Sequence, residues 1–358
     1  MENLVDALNS FRNQRVLITG DTGFKGSWLS LWLHHHGAKV FGYALPPEDN
    51  SHFQLLGLSK LISHEDGDVR DLEHLSRYVT HVQPDVIFHM AAQALVITSY
   101  NDPKETFDTN VGGGVNILEA VRSTPCVKAL VFVTSDKCYL NKEVTRGYTE
   151  SDELGGDDPY SASKAGAELV FASYARSYFA DRAAFGATSV RAGNVIGGGD
   201  WSSNRIIPDC VRALISGQPI TIRNPHATRP WQHVLEPLSG YITLGAHLLK
   251  NGGGNFGSWN FGPPENAVHT VGEVANSVIS EWGSGSLVVD QSSEKLHEAT
   301  LLQLNCDKAR NFFGWKPRWG YEQTIRKTIQ WYVNFNNQVN VLETSKKQLT
   351  EYEMSEHD

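Results

Sequence analysis
The sequence predicts a doubly wound α/β fold, a parallel sheet with helices on both faces, and three observations carry that prediction. Short β-rich runs alternate with helical stretches through the first half of the chain. A glycine-rich turn follows the first run directly, and after residue 190 the rhythm breaks into Gly-, Pro- and Trp-rich segments.

The alternation runs RVLITG, FKGSWLSLWLHHH, KVFGYAL, DVIFHMAA, VGGGVNILEAVRS, ALVFVTS and SASKAGAELVFASYARSY. Almost uninterrupted apolar runs suit strands buried on both faces, as βαβ crossovers require. After ATSVRAGNVIGGGDW, segments such as IRNPHATRPWQHV read as loops and short elements. The expected division is a dinucleotide-binding domain over 1–190, with a return of the chain near 230–262, and a smaller mixed α/β substrate domain over 191–358. From Lys346 onward the polar sequence reads as a frayed helix or tail.

Composition narrows the partners. The 358 residues are 40% hydrophobic and 20% charged, which is ordinary for a soluble globular chain. A net charge of −9 offers no general basic surface, so neither nucleic acid nor an anionic membrane is expected as partner, and any phosphate must be met locally. No apolar run reaches membrane-spanning length. MENLVDALNSFRNQ lacks the apolar core of a secretory signal. Cys126, Cys138, Cys210 and Cys306 lie far apart without a CxxC pair, which suits reduced thiols in a cytoplasm. The run His34-His35-His36 points in different directions on a helix, so no metal site is expected.

Gly20, Gly23 and Gly26 in ITGDTGFKG leave a strand and open what reads as an amphipathic helix. Without side chains there, backbone amides can approach a pyrophosphate at the helix N-terminus, so dinucleotide binding is preferred over a plain tight turn. The run KVFGYAL ends in LPPEDN without the acidic residue that grips an adenosine ribose, which leaves NAD against NADP open at this point. Asp68 and Val69 in GDVRD are candidate adenine-edge contacts, with a cap or solvated Asp as the alternative. Lys25 pairs either with phosphate or with solvent.

A Tyr-x-x-x-Lys pair on a helix puts phenol and ammonium on one face, where the charge is expected to lower a phenol pKa that starts near ~10. The spacing occurs twice. Pro103 suggests a helix beginning between Tyr100 and Lys104, so that pair reads as accidental. Tyr160 and Lys164 lie in DDPYSASKAGAELV, where Pro159 starts a helix and Ser161, Ala162 and Ser163 allow a flat ligand close. That pair is preferred as a general-base couple over a structural Tyr and a solvated Lys.

Taken together, TGxxGxxG, HMAA at 89–92, TSDKCY at 134–139 and YxxxK at 160–164 resemble the extended short-chain dehydrogenase/reductase family. That resemblance implies a Rossmann sheet and NAD as cofactor, held by Gly20, Thr22, Gly23, Phe24, Lys25, Gly26, Asp68, Val69, Ala91, Ala92, Gln93, Tyr160 and Lys164. It assigns Ser135 to polarising the reacting hydroxyl, Tyr160 and Lys164 to the base couple, and Asn110 in FDTNVGGG to the proton path. Asp136 after the Ser is similar to the sugar 4,6-dehydratases, where epimerases have a small residue. Lys137, AAQALVITSY, RAGNVIGGGDW, RIIPD and NPHATRPWQHV resemble the branch acting on CDP-linked glucose.

The chemistry this implies is C4 oxidation begun by Tyr160, C5 deprotonation by Lys137, C6 hydroxyl protonation by Asp136, and hydride return to C6. A loop ion pair is the alternative for Asp136 and Lys137. For the nucleotide diphosphate, the resemblance points to Asn194, with Gly197, Gly198 and Gly199 giving backbone access, and to Arg229; Arg205, Arg223 and His297 are further candidates. Trp201 and Trp231 either stack on a base or fill the cap's core. Apolar positions beyond one stripe on the helices near 104–122 and 160–180 suggest a homo-oligomer, a dimer or a dimer of dimers. An epimerase of the same fold and a non-catalytic NAD sensor are the competing readings.

Overall fold
In a computed structural model, residues 3–144, 146–252, 255–263, 268–290 and 302–355 are described. Their strands are β1 Arg15–Thr19, β2 Lys39–Ala44, β3 Ser63–Asp66, β4 Val86–His89, β5 Ala129–Val133, β6 Gly186–Ala192, β7 Val195–Ile196, β8 Ile220–Ile222, β9 Thr228–Pro230, β10 Gln232–His233, β11 Asn255–Phe261, β12 Val268–Thr270 and β13 Leu287–Val289. Seven form one parallel sheet in the order β11-β6-β5-β4-β1-β2-β3. This is the doubly wound α/β class that the alternation predicts.

Alternation along each strand explains why both faces are covered. Val16 and Ile18 of β1, Val86 and Phe88 of β4 and Ala129 and Val131 of β5 belong to one buried cluster. Leu17, Ile87, Leu130 and Phe132, their immediate neighbours, belong to the other. The first cluster takes in the helices Phe24–His35 and Leu235–Asn251, the second Leu72–Val82 and Gly113–Arg122. A strand with both faces packed needs an apolar residue at every position, which is the pattern read from the sequence.

The chain returns to this sheet late. β11 pairs in parallel with β6, Trp259 opposite Val190 and Phe261 opposite Ala192, long after the chain has left at residue 192. Three two-stranded pieces, β7 with β10, β9 with β12 and β8 with β13, lie apart from the large sheet.

Two local expectations are corrected. Helix Phe24–His35 is not amphipathic: every residue from Gly26 to Leu33 is buried. The cause is the C-terminal stretch, which is a docked helix, Val341–Met354, rather than a frayed tail. Its Glu353 accepts from Trp32 Nε1 at 2.7 Å and faces His36 at 2.9 Å, while Leu349 and Tyr352 are fully buried. That helix supplies an apolar cover that the sequence of Phe24–His35 alone does not reveal.

Candidate active site
The order of the sheet reverses direction at β1 and β4, and ligands of open α/β sheets bind outside the carboxyl ends of strands at such a switch point. The chain segments leaving β1, β4, β5 and β6 there are Gly20–Gly26, Met90–Gln93, Thr134–Lys137 and Gly193–Asn194. Most of the predicted site residues belong to these four segments or to the helix Pro159–Tyr174; Asn110, Asp68, Val69, Arg205, Arg223, Arg229 and His297 lie elsewhere in the chain.

Beyond β5, Ser135 is extended and caps a single turn, Asp136–Cys138, accepting from the Lys137 amide at 3.2 Å. Its Oγ donates to Asp136 Oδ1 at 2.9 Å. Asp136 is buried, and burial pushes its carboxyl up against the opposing pull of the Lys137 charge and the Ser135 hydroxyl. The described residues show no ion pair between Asp136 and Lys137; the Lys137 side chain is half-buried and makes no hydrogen bond among them.

Pro159 opens the helix Pro159–Tyr174, and Asp158 caps it by accepting from the Ser161 amide and hydroxyl at 2.9 and 2.6 Å. Tyr160, Lys164 and Glu168 follow at four-residue spacing on one buried face. Lys164 Nζ lies 5.9 Å from the centre of the Tyr160 ring. Burial brings the Lys164 ammonium down to about 8. The expected depression of Tyr160 is not found: burial pushes its phenol up to about 12, and a hydrogen bond with Ser135 is the leading pull the other way. Desolvation of the phenolate outweighs the Ser135 hydrogen bond and the Arg205 charge that favour it.

Asn110 sits in a widened turn, Asp108–Gly112. Its side chain accepts from the Gln93 amide at 2.9 Å and donates to the Gln93 carbonyl at 3.0 Å and to Ser163 Oγ at 2.9 Å. Ser163 in turn donates to the Tyr160 carbonyl at 2.7 Å. Asn110 thus ties the loop after β4 to the turn that bears Tyr160. The accidental reading of the other pair agrees with the geometry: Tyr100 belongs to one short helix, Val96–Asn101, Lys104 to the next, and Lys104 is bonded to Asp108.

The glycine loop fits a dinucleotide pyrophosphate. Gly20 has φ +78°, and a Cβ on Gly26 would stand 2.1 Å from the Gly20 carbonyl oxygen. Gly23 caps the following helix with no side chain bonded to its free amides, which leaves them to an anion. Thr22 Oγ1 donates to the Leu45 carbonyl at 3.0 Å, Ala91 N donates to Thr19 Oγ1 at 3.3 Å, and Phe24 and Ala92 are half-buried beside them. Asp68 is engaged elsewhere: Arg70 grips its carboxylate with a closest contact of 2.6 Å and holds it below the usual range, and Tyr43 donates to its carbonyl. Val69 is buried, with Gly113 against it. Lys25 Nζ donates to Tyr241 Oη at 3.0 Å.

On the opposite side, Asn194 is exposed just past β6. Arg205 precedes the helix Ile206–Ile215 and holds Asp200 at 3.0 Å. Arg229 lies on β9 close enough to pull on the Asp136 carboxyl. Arg223 is exposed after β8, and His297 lies outside the described residues. Gly197, Gly198 and Gly199 do not make way for a ligand: Cβ atoms there would meet Val234, Trp331 and His52 at 2.8, 2.0 and 2.3 Å, so these glycines admit protein side chains. Trp201 packs edge-on against Tyr332 at 5.2 Å, and Trp231 is buried, so both belong to the core of this region.

Sequence reasoning missed Thr134, Glu168 and Arg191. Arg191 Nη2 and Nε reach Glu168 at 2.7 and 2.9 Å, both residues are buried, and Thr134 Oγ1 also donates to Glu168. The pair locks helix Pro159–Tyr174 to β6, and Thr134 ties the same carboxylate to the end of β5 just before Ser135. Glu168 stands one turn beyond Lys164, a signal that was present in the sequence.

A Rossmann sheet with Ser, Tyr and Lys gathered at the strand ends defines an extended short-chain dehydrogenase/reductase acting on nucleotide sugars. Within that class the chain belongs to the GDP-mannose 4,6-dehydratase family, whose model matches residues 17–328. It is 44% identical over 349 residues to CDP-glucose 4,6-dehydratase of Salmonella typhimurium, spanning 96% of this chain and 97% of that protein. CDP-paratose 2-epimerase of Salmonella typhi is 26% identical, covering 88% of this chain and 98% of that one. Among solved structures, dTDP-glucose 4,6-dehydratase of Bacillus anthracis in complex with NAD superposes with a TM-score of 0.73 at 25% identity, covering 91% and 99%. UDP-glucose 4-epimerase of Thermotoga maritima with UDP-glucose gives 0.77 at 21%, covering 89% and 99%, a likeness of fold.

Proposed function
We propose that this chain is an NAD-dependent CDP-glucose 4,6-dehydratase, a hydro-lyase that converts CDP-glucose to CDP-4-keto-6-deoxyglucose and water. The near-full-length likeness to the Salmonella typhimurium enzyme carries the nucleotide and the sugar. The observation in the site that carries the reaction type is the buried carboxyl of Asp136, raised by burial and joined to Ser135, because elimination needs an acid and simple oxidation does not.

NAD, bound at Gly20–Gly26, supplies the acceptor for hydride from C4 and the donor that returns it to C6. Tyr160 takes the C4 hydroxyl proton, with Ser135 hydrogen-bonded to the same oxygen. Burial pushes its phenol up, so the step draws on the Ser135 hydrogen bond and the Arg205 charge that favour the phenolate, with Lys164 5.9 Å from the ring. The 4-ketone acidifies C5–H, and Lys137 removes that proton. Asp136, whose carboxyl burial raises toward the protonated form, donates to the departing C6 hydroxyl, which leaves as water. Arg229 and Arg205 hold the nucleotide's diphosphate, with Asn194 at the strand end.

The product belongs to deoxysugar synthesis of the kind used for lipopolysaccharide O-antigen precursors. Four free thiols among the described residues suit a cytoplasmic enzyme. Exposed Phe107, Leu169 and Tyr178 support a homo-oligomer through those helices, a dimer or a dimer of dimers. The division into a cofactor domain over 1–190 and a mainly substrate-binding domain over 191–358, with β11 returned to the first, is the arrangement we adopt.

Incubation with CDP-glucose, UDP-glucose and dTDP-glucose, followed by the alkaline absorbance of the 4-keto product, tests the function. CDP-glucose is expected to be converted most efficiently; absence of product from it overturns the reading.

A further inference from the structure
Lys25 is the second residue of the helix Phe24–His35, which opens from the glycine loop. Its ammonium reaches Tyr241 on the helix Leu235–Asn251, donating to the hydroxyl at 3.0 Å and lying 5.0 Å from the ring centre. Tyr241 is fully buried, so its hydroxyl meets no ligand directly and serves as an anchor.

The ammonium's surroundings are those of the reacting centre. Lys164, Arg205 and Asp136 are the charges that act on Lys25, and Asp136 and Tyr160 are those that act on Tyr241. An ammonium carries three N–H donors, and Lys25 uses one; the described residues supply no further acceptor for it. The two remaining N–H groups of this partly exposed ammonium, set among the charges of Lys164, Arg205 and Asp136, are available to oxygen acceptors of a bound ligand.

We propose that Lys25 is a residue of the sugar site rather than of the cofactor's phosphates: anchored by Tyr241, it offers its remaining N–H groups to an oxygen of the bound hexose. This rests on the dehydratase reading above. The amides at Gly23, left without a side-chain cap, suit the cofactor's pyrophosphate, whereas the Lys25 ammonium lies within electrostatic reach of Asp136. Burial, reinforced by Lys164, brings the Lys25 ammonium down to about 7. It is therefore charged below neutrality and loses its proton, and one donor, as pH rises through that range.

The experiment compares the full-length wild type, Lys25→Met, Lys25→Arg and Tyr241→Phe. Lys25→Met is expected to raise KM for CDP-glucose by about tenfold, the usual worth of a hydrogen bond to charge, while NADH affinity measured by fluorescence stays within about twofold. In the wild type, kcat/KM falls as pH rises through about 7, and this limb is absent in Lys25→Met. Lys25→Arg restores part of the KM, and Tyr241→Phe shifts KM in the same direction as Lys25→Met by less. Equal losses of NADH and CDP-glucose affinity in Lys25→Met overturn the proposal in favour of a phosphate role. An unchanged KM with an unchanged pH limb overturns it outright. If the wild type does not turn over CDP-glucose, the dehydratase reading falls; if it does and Lys25→Met matches it, only the role of Lys25 falls.

Discussion
Ser135 Oγ donates to Asp136 Oδ1 at 2.9 Å, so the hydroxyl at the reacting oxygen and the acid for the leaving group are directly linked. With the Ser135 proton committed to Asp136, the same hydroxyl oxygen remains free to accept from Tyr160 or from substrate.

Asp136→Asn keeps the size of this group and removes its acidity. C4 oxidation is expected to continue, so bound NADH builds up while product formation falls by about 10²–10⁴-fold. Absorbance at the NADH band during a single turnover checks this, and product formation near the wild-type rate removes Asp136 from the acid role. Because burial raises the Asp136 carboxyl, its protonated fraction, and with it the elimination rate, declines as pH rises through that raised value.

Tyr160→Phe removes the oxygen that takes the C4 proton. The expected outcome is a loss of about 10²–10⁴-fold in NADH formation with substrate affinity little changed. Substantial NADH formation at C4 in this variant means that another group begins the reaction.

For Lys137→Ala, exchange of the C5 hydrogen with deuterated solvent is expected to stop while C4 oxidation persists. Mass spectrometry of recovered substrate and intermediate reads the exchange, and wild-type exchange in the variant assigns the C5 base elsewhere.

The Glu168–Arg191 pair is buried on both sides. Arg191→Met leaves a buried carboxylate without its cation and is expected to destabilise the fold by about 3–5 kcal/mol. The double variant Glu168→Gln/Arg191→Met recovers a large part of that loss. Thermal unfolding of the three proteins decides, and single and double variants of equal stability refute the coupling.

Glu236 is fully buried, accepts from the Trp319 amide at 2.8 Å and from Tyr352 Oη at 2.6 Å, and is pushed up to about 7. Its folded value lies above its unfolded value near 4.5, so the folded state favours the protonated acid. Stability is thus expected to be full below about 4.5 and to decline as pH rises through about 7. Glu236→Gln flattens the fall of Tm between pH 5 and 8; an equal slope in both proteins contradicts this.

The sheet was legible because fully buried strands and a glycine turn leave local signals, as in RVLITG followed by Gly20. Tyr160 and Lys164 stand one helical turn apart behind Pro159, a local signal, whereas Ser135 and Asp136 were picked out by the resemblance of TSDKCY to the family. What escaped depends on distant partners. Burial of helix Phe24–His35 on all sides needs Tyr352 and Glu353 from the far end of the chain. Gly198 looks like a ligand's approach until Trp331 arrives to fill the space. The Tyr160 phenol goes up rather than down because the packing that buries it is tertiary, whereas the Tyr–Lys spacing is helical.

The central claim is that hydride leaves C4 and comes back at C6 of the same sugar. CDP-glucose carrying deuterium at C4, converted by the enzyme with unlabelled NAD, tests it by NMR of the product. The account predicts a 4-keto-6-deoxy sugar with deuterium on C6. Deuterium retained at C4 of a hexose, as a 4-epimerase leaves it, or a keto product free of deuterium, contradicts it.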